Sequence, residues 1–124
     1  MATKIVIEID SSELSAELSD SAAARAVAAA LPLSPRMSRW GDEYYGSVGL
    51  DIEEDVSARE LMEVGEIAFW PPGKALCIFF GRTPASTDER PKAASAVLPV
   101  GRVIGGLDAL KGLGPSVRMV FRKG

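Results

Sequence analysis

The stretch MSRWGDEYY, Met37–Tyr45, places a guanidinium, two carboxylates and two phenols within nine residues. Arg39 has two open readings: a fork of N–H donors that holds a ligand carbonyl or carboxylate, or a surface partner of Asp42 or Glu43. Asp42 and Glu43 are adjacent, so on a strand they diverge and cannot act as the paired carboxylates of a glycosidase. Tyr44 and Tyr45 diverge in the same way, which assigns one to a core and the other to a cleft wall without saying which. The second concentration is IAFWPPGKALCIFFG, Ile67–Gly81. In it Trp70, just before Pro71, either packs over the end of a core or floors a groove. Phe79 and Phe80 divide between interior and exterior. The candidate ligand-binding set is Arg39, Tyr44, Trp70 and Phe80, with no catalytic or metal-ligating residue among the expectations.

The exclusions are sharper. The chain has no histidine, which removes Cys-His and Ser-His catalysis and every imidazole metal site. The single cysteine, Cys77, lies in an unbroken apolar run, so no intrachain disulfide forms and a buried, inert thiol is expected. Asp51, Glu53 and Asp55, read as one strand face, lack the ligand number and glycine-bearing loop of a calcium site, and a solvated surface is expected there. Gly101, Gly105, Gly106, Gly112 and Gly114 do not have phosphate-loop spacing, so no nucleotide and no other cofactor is implied. A formal net charge of −3 with scattered basic residues excludes the positive face that nucleic acid needs. The opening MATKIVIEID is too short and too charged for a signal peptide or membrane span, so a cytoplasmic protein without a membrane partner is expected.

The elements that must hold these residues follow from periodicity. At 124 residues the chain suits one domain, 1–124. TKIVIEI (3–9) and ELSAEL (13–18) read as a hairpin whose second strand exposes Glu13, Ser15 and Glu17. A helix is predicted over about 20–31, capped by Ser19 or Asp20, ended by Pro32, and buried on most sides because it is mostly alanine. Two short strands around Gly41 and Asp42 come next. The 67–81 segment is predicted as a hairpin with Pro72 and Gly73 in a type II turn, its return strand ALCIFF covered on both faces. RTPASTDERPKAASA (82–96) reads as a long loop of the kind that serves as a lid or binding loop. A strand VLPVGRVI, a short helix over about 106–112 and a last strand SVRMVFR end the chain.

The fold class is therefore mainly β, a small barrel of short strands with helices closing its ends. The combination ALPL, RWGDEYY, GEIAFWPPGKALCIFFGRTPAS and VGRVIGGLDAL resembles a prokaryotic cyclophilin-like family without an established reaction, over nearly the whole chain. That resemblance implies a closed antiparallel barrel of about eight strands with a helix at each end. True cyclophilins are peptidyl-prolyl isomerases. Their reaction rotates a partial double bond and needs no acid, base or nucleophile, so lack of histidine does not exclude it. It needs an apolar seat for the proline ring and an arginine donor to the imide nitrogen. In the resemblance Arg39 falls at that arginine and Tyr44 near the pocket aromatic, although the intervening residues differ and Trp70 stands where cyclophilins carry small residues. The favoured expectation is a non-catalytic module binding a peptide or small molecule. The alternatives are a prolyl isomerase and a structural, self-associating protein whose aromatic face is covered in a homo-oligomer.

Overall fold

The computed structural model describes residues 2–124. Its elements, in chain order, are β1 (Thr3–Ile9), β2 (Ser12–Leu18), α1 (Ala22–Ala30), β3 (Arg36–Arg39), β4 (Glu43–Ser47), β5 (Arg59–Leu61), β6 (Glu66–Trp70), β7 (Ala75–Phe79), β8 (Lys92–Gly105), β9 (Ser116–Arg118) and β10 (Val120–Lys123). The sheet runs β10-β1-β2-β8-β6-β7-β4-β3-β9, and every pairing is antiparallel. Its two ends, β9 and β10, are consecutive pieces of one chain run, so continuity through Met119 curls the sheet into a nearly closed barrel. At that seam Met119 N–H donates to Pro35 O at 3.1 Å, and Leu33 and Phe121 exchange backbone bonds of 2.9 and 2.7 Å. Closure leaves few unpaired edges.

Period-two alternation fills the barrel. Ile5, Ile7 and Ile9 of β1 and Leu14, Ala16 and Leu18 of β2 all point inward, as do Ile67 and Phe69 of β6 and Leu76 and Ile78 of β7. From β4 the inward residue is Tyr44. The helix inserts Ala23, Ala24 and Val27 into this core, and a 3-10 turn at Leu107–Leu110 inserts Leu110. A smaller cluster lies on the outer face of β6 and β7, where Ala68, Cys77 and Phe79 are covered by Met62, Ala93 and Val97.

Several local expectations are corrected. The helix cap is Ser21, whose Oγ accepts from Ala24 N–H at 3.1 Å, and Arg25, Ala26 and Ala29 are exposed, so the helix buries one face only. The hairpin reverses through a 3-10 turn, Pro71–Gly73, with Lys74 left-handed at φ 48°, in place of a type II turn at Pro72 and Gly73. Asp51, Glu53 and Asp55 lie outside any strand, and Asp51 pairs with Lys74 at 2.8 Å. The segment 82–96 is loop only as far as residue 91, because β8 begins at Lys92 and spans fourteen residues. The last strand is broken into β9 and β10, which lets it pair with β3 on one side of the seam and β1 on the other.

Candidate functional site

The outer cluster does not fill its face. Between β4, β6, the segment before β4 and the first half of β8 lies a cavity of about 250 Å³ lined by Trp40, Glu43, Tyr45, Trp70, Ala93, Ala94 and Val97. Register explains the composition. Tyr45 pairs with Cys77 and Glu43 with Phe79, so Glu43 and Tyr45 stand on the outer face beside Cys77 while Tyr44 between them turns inward. Trp70 shares that outer face because it lies two residues beyond Ala68 on β6.

Each aromatic is held in place. The Trp70 Nε1–H donates to Ser95 Oγ at 2.7 Å, and its ring meets Tyr45 edge-to-face, centroids 6.4 Å apart at 76°. Gly73 lies directly under the indole: a Cβ there would come within 2.7 Å of Cε3 and Cζ3. Trp40 is fixed through its backbone, which exchanges hydrogen bonds with Glu43 at 2.8 and 3.2 Å.

Glu43 is the chemical centre of the cavity. It is only 5% exposed, and its Oε1 has no hydrogen-bond partner. Burial pushes its carboxyl up to about 7, opposed in part by the Cys77 thiol, which lies close enough to hydrogen-bond it. Burial, and then the neighbouring Glu43 charge, pushes the Cys77 thiol well above its ordinary range, so Cys77 is not a poised nucleophile. Glu66 shows how this protein satisfies a carboxylate for structure alone: Arg59 grips it with bonds of 2.9 and 2.6 Å and Glu63 N–H adds a third at 2.8 Å.

Of the four residues singled out in the sequence, only Trp70 lines the cavity. Tyr44 and Phe80 are fully buried in the barrel core, stacked at 5.7 Å and 17°, with the Tyr44 hydroxyl donating to Gly114 O. Arg39 packs on that pair, its Cζ 5.1 Å from the Phe80 ring and 5.8 Å from the Tyr44 ring. Its donors go to five acceptors of its own chain: Gly41 O, Leu110 O, Lys111 O, Leu113 O and Asp42 Oδ1. Arg39, Tyr44 and Phe80 thus form one clamp that ties β3 to the 3-10 turn, apart from the cavity. Trp40, Glu43 and Tyr45 line it instead. Tyr45 was one arm of the tyrosine alternative, whereas Trp40 and Glu43 carried no signal beyond their place in RWGDEYY.

A second depression, lined by Glu17, Glu66, Pro99, Arg102 and their neighbours, is more open and carries charges of both signs, and its acidic Glu66 is already paired. Among the described residues no group of His, Cys, Asp and Glu side chains could hold a metal ion. None of the described helices is long and apolar enough to cross a membrane.

The family model described as cyclophilin-like matches residues 3–122. The solved structure of the hypothetical protein AF2241 from Archaeoglobus fulgidus, determined in solution, is similar with a TM-score of 0.82 and 35% identity, covering 99% of this chain and 95% of that one. No curated protein matches the chain.

Proposed function

The chain belongs to the cyclophilin-like family, and we propose that it acts as a non-catalytic module of one domain, residues 1–124, that binds a small molecule or a short peptide side chain in the outer-face cavity. The observation that carries this is an aromatic-walled space holding a buried carboxyl with an unused acceptor. A face completed only for stability would close the space or pair the acid, as Glu66 is paired.

Both tryptophans of the chain line the cavity, so tryptophan fluorescence, excited selectively, reports on it. Titration with a panel of small amines, alcohols and X-Pro dipeptides should give a saturable change with at least one member. Ala94→Phe, which adds a ring at an exposed lining position, should abolish that change without lowering the thermal midpoint. Saturation that survives in the filled variant, or none across the panel, would sink the reading.

An isomerase would need a guanidinium aimed at the groove centre. The Arg39 donors are engaged within the chain, so the native protein is expected not to accelerate X-Pro isomerisation. Catalysis abolished by Arg39→Ala would reverse that conclusion. A self-associating protein would instead bury the cavity mouth against a second copy, and a solution mass of one chain would speak against it.

A further inference from the structure

Resting on the cavity reading above, we propose that the ligand carries an alkylated ammonium group, its carbons against Trp40, Tyr45 and Trp70 and its positive charge toward Glu43. Three of the lining residues are aromatic, a residue type whose rings attract cations, and two of them, Tyr45 and Trp70, stand nearly perpendicular, as adjoining walls of a cage would. Glu43 is the only lining residue with a formal charge.

The alternatives fit less well. An anion would face an acid with no basic side chain among the lining residues. A wholly apolar ligand would give the Glu43 carboxyl no opposite charge to face. A primary ammonium carries three strongly hydrated donors, and the only side-chain acceptors in the lining are the Glu43 carboxyl and the Tyr45 hydroxyl, among walls that are otherwise carbon. Methylation removes those donors and spreads the charge over carbon, which matches the walls. The volume, about 250 Å³, lies just below the usual range for drug-sized ligands and suits a head group rather than a large molecule.

Binding is coupled to a proton. Burial keeps the Glu43 carboxyl protonated up to about pH 7, whereas a neighbouring cation favours the carboxylate. Uptake therefore releases a proton and tightens as pH rises through this region. The titratable groups beside Glu43 are the Cys77 thiol on β7 and the Tyr45 phenol on β4. Ala68 and Trp70 on β6 and Ala93, Ala94 and Val97 on β8 do not titrate.

The test compares choline with its uncharged isostere, in which a tert-butyl group replaces the trimethylammonium, by tryptophan fluorescence and calorimetry on the full chain. Choline should bind about tenfold more tightly at about pH 8, and the advantage should shrink at about pH 6. Glu43→Gln should reduce the preference and remove its pH dependence; if that variant does not fold, Trp70→Leu, read by calorimetry, should reduce the preference. Equal binding of choline and isostere would overturn the ammonium inference and leave the cavity reading standing. A trimethyllysine peptide that binds where choline fails would support the inference and identify a peptide as the source. Failure of all three probes would overturn it, whereas the broader panel above decides the cavity reading separately.

Discussion

Glu43 and Glu66 are nearly equally hidden, 5% and 6% exposed, yet the fold treats them oppositely. Glu66 receives a bidentate guanidinium, whereas Glu43 receives aromatic walls and a thiol. The difference has a sign in pH. Because the folded Glu43 carboxyl is raised from 4.5 to about 7, the native state holds a proton that the unfolded chain has lost across that interval. Stability is therefore highest below about 4.5 as far as this group is concerned, and declines as pH rises through about 7. The full difference is on the order of 3 kcal/mol. Urea midpoints measured from about pH 5 to about pH 8 should fall for the native chain and stay flatter for Glu43→Gln; parallel slopes would assign the decline to other groups. The Arg39 hydrogen bonds described above all lie within the chain. Arg39→Ala strands buried carbonyls and uncovers the Tyr44–Phe80 stack, so a loss of roughly 2–4 kcal/mol in unfolding free energy is expected. Cavity affinity measured well below the midpoint should stay within about twofold; a tenfold fall would return Arg39 to the site.

At the scale of elements, the β6–β7 hairpin positions Trp70 from below and β8 from the side. The flat surface of Gly73 lets the indole lie over the turn. Gly73→Ala should push the ring off that seat, cost about 1–3 kcal/mol and shift the tryptophan emission, because Trp70 must then give up Ser95 or Tyr45. An unchanged spectrum would mean the turn, not the indole, yields. This hairpin was readable in the sequence because alternating and continuous apolar runs flank a proline-rich reversal. The turn type was not, since Pro71 at the first 3-10 position fixes φ and passes the left-handed residue on to Lys74. The first half of β8 was unreadable for a different reason. KAASA has small and polar residues without β-branching, and only tertiary packing over Ala68, Cys77 and Phe79 makes it a strand. Ala93 and Ala94 form one wall of the cavity, so the cavity is legible only where that strand is. The choice between Tyr44 and Tyr45 depended on the same unseen information, the register of β4 on β7.

The whole molecule consists of a barrel with a thin second layer. The barrel core is continuous from β1 to β10 and takes in the helix. The outer cluster has six buried residues, and its cover includes β5, three residues long and exposed throughout. Little apolar area holds that cover, so it should open at lower free energy than the barrel beneath it. The loop leading to it is tied by local bonds, Thr83 N–H to Ser86 Oγ at 2.9 Å and Ser86 Oγ–H to Arg90 O at 2.8 Å, and is anchored at its start, where Arg82 O accepts from Asp42 N–H at 2.8 Å. Amide exchange under native conditions should therefore release the protons of Met62 and the β5–β8 pairing well before those of Ile7, Ile67 and Ile78. The cavity has one wall on each layer, Glu43, Tyr45 and Trp70 on the barrel and Ala93, Ala94 and Val97 on the cover. A ligand that bridges the two walls should slow exchange selectively in residues 59–62 and 92–97, by a factor that grows with its occupancy. Uniform slowing across the barrel would instead show that the two layers open as one unit. In that case the cavity is a fixed recess, and its entry does not depend on the outer strand.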